Sequence, residues 1–503
     1  MHLGNLLQHI SPLKVDGDPG MEIQGLYYDS RQVRPGGLFF ALRGVAADGH
    51  RFIGVAREAG AVAVVAEDES FVPAGMARII VTDAREAMSR AAAAFYGEPT
   101  SGVPLVGITG TNGKTTTSYL VEAILEKAGL PAAVLGTVNY RFRDLALPAP
   151  NTTPESVDLQ RTLRELVDAG AASIVMEVSS HALEQKRVDG CLFDVGVFTN
   201  LTRDHLDYHL TMDAYLASKT RLFAELLASN AVKPRRRAVV NCDDPYGSAI
   251  AASAVCPVIT YGVGERAEVT AADVEFSVDG IAGVLATPAG RVSFRSPMLG
   301  RFNLYNILAA AAAGIALDLP LDAIRQGVEE HWRVPGRLER VENGRGITVL
   351  VDYAHTGDAL ENVLRTLREI ATGRVITVFG CGGDRDQGKR PIMGRIAAGM
   401  SDLAVVTSDN PRTEDPNAIL AQVRAGIVPL ALREYQPEEL ADGFTERGFV
   451  MCESRRDAIR LAAGAARPGD IVLLAGKGHE DYQIIGTVKH HFDDREEAAV
   501  AFR

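Results

Sequence analysis

The sequence contains few cysteines and no closely spaced cysteine pair. Its 503 residues include five, all far apart along the chain: Cys191, Cys242, Cys256, Cys381 and Cys452. Zinc sites and dithiol redox motifs usually show a Cys-x-x-Cys pair, so the sequence indicates neither. An odd, scattered set of cysteines is typical of reduced thiols, which predicts a cytoplasmic location.

Long apolar segments and an excess of positive charge are also missing. The longest apolar run, Ile307–Leu317, has 11 residues, whereas a membrane span needs about 20. The first residues lack the basic-then-apolar pattern of a signal peptide. Lys and Arg number 52 against 64 Asp and Glu, a net charge of −12. These features predict no membrane insertion and no nucleic-acid partner.

Length and residue pattern instead favour a large α/β protein. At about 150 residues per domain, a chain of this length predicts about three domains. Short Val- and Ile-rich runs alternate with segments of helical period, which is typical of parallel sheets covered by helices. Between Val274 and Phe294 the period falls to two around Asp279 and Gly280. We therefore expect a small antiparallel patch appended to the central sheet, followed by a helix over Asn303–Leu317.

A glycine-rich segment after the run PLVGIT is the strongest local motif. It is typical of a loop that binds the phosphates of ATP at a helix N-terminus, with a lysine reaching the outer phosphates and a hydroxyl able to bind magnesium. The strict pattern has glycine where this chain has Ile108, so the match is a variant. The alternative is a glycine-rich turn with a chance lysine. The predicted ATP-binding residues are Gly110, Thr111, Asn112, Gly113, Lys114, Thr115 and Thr116.

Two later strand ends carry candidate magnesium ligands. Glu177 lies in MEVSSH and His205 in TNLTRDHLDYH, and magnesium prefers oxygen donors. Taken alone, Glu177 could be a solvated carboxylate and His205 a hydrogen-bonded loop residue. Lys219 lies in the middle of a predicted helix, where spacing alone favours a solvated lysine.

Mixed-charge clusters follow three strands in the C-terminal third of the chain. The clusters are Gly380–Pro391, Ser408–Arg412 and Gly476–Asp481. Arginine can bind a carboxylate with two hydrogen bonds while Asp or Glu binds an ammonium. The clusters therefore indicate a zwitterionic small molecule, against the alternative of ordinary loop residues.

The chain resembles the Mur ligase family over nearly its full length. Twelve segments in one order carry the resemblance: DSRQVRPGGLFFALRG, ITGTNGKTTT, NTTPESVD, MEVSSHALEQKRV, FTNLTRDHLDYH, YLASKTRLF, GRFNLYNILAA, VPGRLE, DYAHTGDAL, CGGDRDQGKRP, DNPRTEDP and AGKGHEDYQ. The resemblance implies an ATP-dependent amide ligase of peptidoglycan precursor synthesis, acting through an acyl phosphate. The implied fold has a smaller N-terminal α/β domain (1–99), a central P-loop-type doubly wound domain (100–336) and a C-terminal Rossmann-like α/β domain (337–503).

The resemblance also implies site residues. For the UDP-N-acetylmuramoyl-dipeptide it implies Ser30, Thr152, Thr153, Ser179, Gln185 and Arg187. Thr115, Glu177, His205 and a carbamylated Lys219 would bind magnesium, and Lys114, Lys219, His205 and Glu177 would be catalytic. Further ATP contacts would come from Asn303, Asn306, Arg337, Asp352 and His355. One departure is visible, because the family's DYAHTPDAL has proline where this chain has Gly357.

The third substrate is implied by the motif DNPR. This form resembles relatives that accept meso-diaminopimelate, with an arginine on the extra carboxylate, whereas lysine-adding relatives lack that arginine. The implied amino-acid-binding residues are Arg385, Asp409, Asn410, Pro411, Arg412, Gly476 and Glu480. The implied protein is a monomer whose third domain closes over its substrates. The alternatives are a sister ligase adding lysine or another acid, a P-loop ATPase that does not ligate, and a UDP-sugar binding protein.

Overall fold

The computed structural model describes residues 1–44, 47–228, 232–330, 334–441 and 443–503. The chain divides into two compact units. The first comprises Met1–Ala272, Val284–Phe294 and Tyr305–Val328, and the second comprises Asp273–Gly283, Arg295–Leu304 and Glu329–Arg503. Each of the three predicted domains contains a sheet of its own, and the first two sheets lie in the first unit. The exact domain boundaries stay a prediction.

The N-terminal sheet has five strands in the order β1-β5-β4-β3-β2, with only β1 antiparallel to its neighbour. Alternate residues of its strands enter two apolar clusters, such as Phe40 and Val65 on one face and Phe39 and Val64 on the other. Its elements are α1 (Leu3–Leu7), β1 (Lys14–Asp16), β2 (Gly25–Tyr27), β3 (Gly37–Phe40), α2 (Ile53–Glu58), β4 (Ala61–Ala66), β5 (Ala77–Ile80) and α3 (Ala84–Phe95).

The central sheet has eight strands in the order β13-β12-β11-β6-β10-β7-β8-β9. The strands from β13 to β7 in this order are parallel and β8 and β9 are antiparallel. Its strands are β6 (Leu105–Thr109), β7 (Ala132–Leu135), β8 (Asn139–Phe142), β9 (Leu145–Pro148), β10 (Ser173–Glu177), β11 (Val195–Phe198), β12 (Arg237–Asn241) and β13 (Val258–Tyr261). The helices are α4 (Lys114–Lys127), α5 (Ser156–Asp168), α6 (Ser180–Glu184), α7 (Leu206–His209), α8 (Met212–Arg221), a π-helical turn (Leu222–Leu226) and α9 (Gly247–Ser253).

The predicted antiparallel patch is present, but it forms a sheet of its own rather than an extension of the central sheet. Its strands are β14 (Thr270–Ser277), β15 (Gly280–Thr287) and β16 (Gly290–Ser296), in sequential order. The alternating exposure of β14 and β16 differs from the full burial of a central strand such as β6 and is typical of antiparallel strands with one face in water. Two helices follow, α10 (Arg301–Ala316) and α11 (Leu321–Glu329).

The C-terminal sheet has seven strands in the order β17-β18-β23-β19-β20-β22-β21, parallel except for β17. Its elements are β17 (Glu339–Val341), β18 (Thr348–Asp352), α12 (Gly357–Ile370), β19 (Val375–Cys381), α13 (Lys389–Met400), β20 (Leu403–Ser408), α14 (Pro416–Ile427), β21 (Arg433–Tyr435), β22 (Gly448–Met451), α15 (Arg455–Ala465) and β23 (Ile471–Ala475). A separate hairpin of β24 (Tyr482–Ile485) and β25 (Val488–His491) precedes α16 (Asp494–Ala501). In the described part of the chain no helix is long and apolar enough to cross a membrane.

Gly357, the departure from the family pattern, is the first residue of α12. Thr356 caps this helix, its Oγ1 accepting a hydrogen bond from Ala359 N at 3.3 Å, and its extended backbone suits a residue before proline. Proline is favourable at the first helical position. A Cβ at residue 357 would lie 3.0 Å from the Cγ2 atom of Ile392, an exposed residue of α13 that must shift by a few tenths of an ångström to make room.

We therefore expect Gly357→Pro to raise the free energy of unfolding by about 0.4–1 kcal/mol, because it restricts the unfolded chain. Denaturant titration measures the change, with Gly357→Ala separating the effect of the ring from that of an added Cβ. A loss of stability in the proline variant alone would contradict the prediction.

Candidate active site

The glycine-rich loop connects β6 to α4 and depends on two glycines. Gly110 and Gly113 have φ of +151° and +86°, values that residues with a Cβ rarely adopt. A Cβ at Gly110 would lie 1.9 Å from Thr199 Oγ1, and one at Gly113 would lie 2.4 Å from Asn306 Oδ1. Glycine at both positions lets the loop pack closely while its amides remain at the N-terminus of α4, the arrangement that binds phosphate.

The end of β11, the strand beside β6, holds this loop in place. Thr111 N donates to Asn200 O at 2.9 Å, and Asn112 N donates to Asn200 Oδ1 at 2.9 Å. Thr199 Oγ1 donates to Asn112 O at 2.7 Å. Thr199 and Asn200 were not predicted as site residues, although their place in the strand-end motif FTNLTRDH was a usable signal.

Two lysines converge on the carbonyl oxygen of Gly110. Lys114 Nζ lies 2.8 Å from it and Lys219 Nζ lies 3.0 Å from it. Lys219 is 1% exposed, so it is not the solvated lysine that helix spacing alone favoured. Burial, and then repulsion by Lys114, hold the pKa of Lys219 well below its usual range. Both effects favour the neutral form of the Lys219 amine next to the loop.

Tyr215, one turn before Lys219 on α8, connects this lysine to the loop and to a cluster of histidines. Lys219 Nζ lies 4.6 Å from the centroid of the Tyr215 ring, and Tyr215 Oη lies 3.1 Å from Thr111 Oγ1. The ring stacks on His209 with centroids 5.0 Å apart, and the His205 centroid is 6.1 Å away. His205 therefore shares this cluster with Lys219. Tyr215 and His209 were not predicted as site residues, because aromatic side chains in helices are typical of the apolar core.

Glu177 ends β10 and is buried beside the loop. Its Oε2 accepts hydrogen bonds from Thr115 Oγ1 at 3.1 Å and Thr137 Oγ1 at 2.9 Å, and its Oε1 accepts one from Thr137 N at 2.9 Å. The alternative of a solvated carboxylate is wrong, since the residue is 1% exposed. Thr137 was missed because no motif marks it.

The donor set around the loop fits magnesium better than a transition metal. The described residues contain no group of three or more His, Cys, Asp or Glu side chains placed to hold a metal ion. The donors present are a hydroxyl (Thr115), a carboxylate (Glu177) and an imidazole (His205). Magnesium keeps several waters and is commonly bound by one or two carboxylates plus substrate phosphates, so this incomplete set suits it.

Four of the residues expected to bind the UDP-linked substrate form one hydrogen-bonded network beside Glu177. Thr153 Oγ1 donates to the backbone oxygen of Glu177 at 2.8 Å and accepts from Ser179 N at 3.1 Å. Arg187 Nη1 donates to Thr153 O at 2.9 Å, and its Nη2 donates to Gln185 Oε1 at 2.8 Å. These two hydrogen bonds fix the orientation of the Arg187 guanidinium.

Thr152 adjoins this network through Thr137, whereas Ser30 lies in the N-terminal part of the first unit. Thr152 Oγ1 is 3.1 Å from Thr137 Oγ1. Ser30 begins a 3₁₀ turn capped by Asp29, whose Oδ1 accepts from Arg31 N at 3.0 Å. Ser30 itself is largely buried, at 9% exposure.

The two asparagines of α10 have different surroundings. Asn306 Oδ1 accepts a hydrogen bond from Thr117 at 3.4 Å and lies against Gly113, so it adjoins the phosphate loop. Asn303 belongs to the second unit, where its Nδ2 donates to Leu299 O at 2.9 Å. Its expected contact with ATP stays a prediction.

Apart from Arg337, which precedes β17, the remaining candidate residues of the second unit lie at the ends of four neighbouring strands, β18, β23, β19 and β20, or in the loops after them. Parallel strands bring such loops together at one edge of a sheet, where ligands bind. The buried Asp352 carboxylate accepts hydrogen bonds from Leu338 N and Ala354 N, both at 2.8 Å. The guanidinium carbon of Arg337 lies 5.0 Å from the centroid of the Tyr353 ring, and His355 follows Asp352 by three residues.

Arg385 and Arg412 are available for substrate carboxylates. Arg412 Nη1 donates to Gly383 O at 2.8 Å, and Arg385 Nη1 donates to Asp384 O at 3.0 Å. Neither guanidinium forms an ion pair with any residue that the structure describes. Glu480 Oε2 accepts from Asn410 Nδ2 at 3.1 Å, while Asp409 and Pro411 are buried in the turn before Arg412. Gly476, with φ of +116°, passes close to Asp409.

The fold and the first unit's loop define a phosphate-binding-loop α/β enzyme. Family models match three consecutive parts of the chain: "Mur ligase family, catalytic domain" (residues 22–96), "Mur ligase middle domain" (108–314) and "Mur ligase, glutamate ligase domain" (336–478). The chain belongs to the Mur ligase family, and it has that family's three-domain α/β fold.

Curated relatives match over the full length. The proteins named UDP-N-acetylmuramoyl-L-alanyl-D-glutamate–2,6-diaminopimelate ligase from Geobacter metallireducens and Geobacter sulfurreducens are 68% and 67% identical, covering all of this chain and 98% and 99% of theirs. A solved structure with the same name is 34% identical, with a TM-score of 0.73, and covers 100% of this chain and 98% of its own.

Proposed function

We propose that this protein joins 2,6-diaminopimelate to the D-glutamate of UDP-N-acetylmuramoyl-L-alanyl-D-glutamate at the expense of ATP, in peptidoglycan precursor synthesis. The observation that carries the proposal is the 68% identity, over the whole chain, to a relative bearing that name. The buried lysine beside the phosphate loop supports it, as do the two arginines after β19 and β20, which form no ion pair with the residues that the structure describes.

The reaction takes place in two steps. The γ-carboxylate of D-glutamate attacks the γ-phosphorus of ATP, forming an acyl phosphate as the bond to ADP breaks. The amine of diaminopimelate then attacks the acyl carbon, forming the amide and releasing inorganic phosphate and a proton. Phosphoryl transfer needs positioning and charge neutralisation rather than a protein nucleophile. The amides of Gly110–Thr115 and the Lys114 ammonium supply both at the outer phosphates.

Lys219 is proposed to act as a carbamate. Its neutral amine adds to carbon dioxide and releases a proton, which converts a buried cation-forming group into an anion. Thr115, Glu177, His205 and this carbamate would hold magnesium, which would offset negative charge between the phosphates and the substrate carboxylate. The lowered pKa of Lys219 favours the neutral amine that carbamylation needs.

The selection of meso-diaminopimelate is proposed to rest on Arg412. A guanidinium binds a carboxylate with two parallel hydrogen bonds, and lysine lacks the second carboxylate. Arg385, Asp409, Asn410, Gly476 and Glu480 would surround the rest of the amino acid. A substrate without its carboxylate would leave the arginine unpaired, which discriminates strongly.

A cytoplasmic location is proposed on separate grounds. All five cysteines are free thiols, including the buried Cys191 and Cys381, and free thiols persist in a reducing compartment.

Amino-acid-dependent ADP release tests the proposed function. With UDP-N-acetylmuramoyl-L-Ala-D-Glu present, we expect kcat/KM for meso-diaminopimelate to exceed that for L-lysine by at least about 10²-fold. The LL and DD isomers of diaminopimelate, assayed in parallel, show which of its two stereocentres the enzyme recognises. Preference for lysine would indicate the sister ligase instead, and equal ATP turnover without either acceptor would indicate an ATPase that does not ligate.

A further inference from the structure

A fully buried lysine lies beneath the strand ends of the C-terminal sheet. Lys477 is 0% exposed and follows β23 by two residues. Its Nζ lies 3.1 Å from Asp409 Oδ1, donates to Tyr482 O at 2.7 Å and lies 3.3 Å from Asn410 Oδ1. A buried ammonium is costly unless it is paired and hydrogen-bonded. Its three oxygen partners therefore fix where these segments lie.

The partners of Lys477 belong to two segments that are distant in sequence. Asp409 and Asn410 follow β20, whereas Tyr482 begins β24. Further hydrogen bonds join the same segments: Ile484 N donates to Asn410 Oδ1 at 2.9 Å, and Gln483 Nε2 donates to Asp409 O at 2.6 Å. The ammonium is thus the charged centre of a junction between the DNPR turn and the β24–β25 hairpin.

The hairpin in turn holds the backbone of Arg412. Arg412 N donates to Ile484 O at 3.1 Å, and Gly486 N donates to Arg412 O at 2.8 Å. Arg412 has φ of +51°, a conformation that an arginine keeps only when its surroundings impose it. Displacement of the hairpin would therefore release Arg412 from this conformation and move its guanidinium.

The charge of Lys477 also sets the state of Asp409. Burial alone would raise the pKa of this carboxyl, but Lys477 and Arg455 hold the pKa below its usual range. Asp409 therefore stays a carboxylate. A neutral side chain at 477 would leave this buried anion without its nearest counter-charge.

We infer that Lys477 is a positioning residue for amino-acid selection: through the hairpin and the DNPR turn it holds Arg412 where the second carboxylate of diaminopimelate binds. This inference rests on the proposed function and extends it to a residue that touches no substrate in the proposed mechanism. An apolar side chain of the same length would fill the space but could not hold the three oxygens.

The test is steady-state kinetics of Lys477→Met in the full-length enzyme. We expect KM for meso-diaminopimelate to rise by at least about tenfold, with KM for ATP and for the UDP-linked dipeptide within about twofold of wild type. The ratio of kcat/KM for diaminopimelate to that for lysine is expected to fall by about tenfold or more, because Arg412 loses its fixed position.

Arg374→Met is the matched control. It removes a positive charge from the same domain, but at the N-terminal ends of the strands, opposite to the ends that Lys477 follows. Arg374 Nη2 lies 2.6 Å from Asp470 Oδ2, just before β19 and β23. It should lower the melting temperature without changing the diaminopimelate preference. If Lys477→Met does not fold, Lys477→Gln is the second variant, because it keeps a donor for Tyr482 O. Its preference for diaminopimelate over lysine is expected to fall as well, but by a smaller factor.

The outcomes are distinguishable. Unchanged KM and unchanged preference in a folded Lys477 variant would overturn the inference, as would a shift of equal size in Arg374→Met. Wild-type enzyme that does not use diaminopimelate would overturn the proposed function itself.

Discussion

Lys219→Ala is expected to reduce ligation by at least about 10³-fold, the largest effect of any single change in the first unit. The variant removes the buried amine and hence the proposed carbamate, so the magnesium that would offset negative charge on the phosphate and carboxylate would lose one of its ligands. Product formation from UDP-N-acetylmuramoyl-L-Ala-D-Glu, ATP and diaminopimelate measures the loss. Unchanged thermal stability of the variant would show that the loss is chemical.

A short carboxylic acid should restore part of the activity, since formate or acetate can occupy the space of the missing carbamate. Wild-type enzyme supplied with ¹³C-bicarbonate should show a carbamate carbon signal that Lys219→Ala lacks. Lys127→Ala, at an exposed position on α4, is the matched control and should retain full activity. Full activity in Lys219→Ala would contradict a catalytic role for this lysine. A loss of activity without rescue, together with no carbamate signal in the wild-type enzyme, would mean that the lysine acts as an amine and not as a carbamate.

Arg412→Asn is expected to lower kcat/KM for meso-diaminopimelate by about 10²-fold or more while changing that for lysine little. Asparagine is chosen because it tolerates positive φ better than alanine does, so the turn should survive at φ of +51°. Arg412→Lys keeps the charge but loses the bidentate geometry, and it should fall between asparagine and wild type. Competition between the two amino acids in one assay measures the preference directly.

Arg424→Asn provides the control for this series. Arg424 lies on α14 and pairs with Glu434 on the surface, with 2.6 Å between Nη2 and Oε2, so its loss should leave the preference unchanged. An equal fall for lysine and diaminopimelate in Arg412→Asn would mean that the arginine does not read the second carboxylate.

Much of the architecture could be predicted because parallel strands leave a strong signal. Runs such as LVGIT and VITVFGC are buried on both faces and therefore read as continuous apolar segments. The helix after the phosphate loop was equally clear, since Gly113 and Lys114 mark its start. The independent three-stranded sheet was harder, because alternation identifies a half-buried strand without saying which sheet it joins.

Site residues could be predicted where the backbone conformation requires a particular residue type. They could not be predicted where the role of a residue depends on its burial in the tertiary structure. Gly110 and Gly113 could be predicted from the sequence, because only glycine suits their conformation and packing. Lys219 could not: its spacing on α8 fits a surface lysine, and only the tertiary structure shows that α8 faces the loop. Thr137 lies outside the predicted motifs. Tyr215 lies in the segment YLASKTRLF and Lys477 in the predicted cluster Gly476–Asp481, but neither had an individual role. Most partners of Lys477 come from the distant turn at Asp409 and Asn410.

The two units of the chain contain residues with two different proposed roles. Lys114, Glu177 and Lys219, which would activate a carboxylate, lie in the first unit, whereas Arg385 and Arg412, which would choose the amino acid, lie in the second. In the proposed mechanism, the choice of amino acid depends on a few loops of one sheet that share no residue with the phosphate loop. Exchanging those loops should redirect the enzyme to another amine while its consumption of ATP keeps the same chemistry.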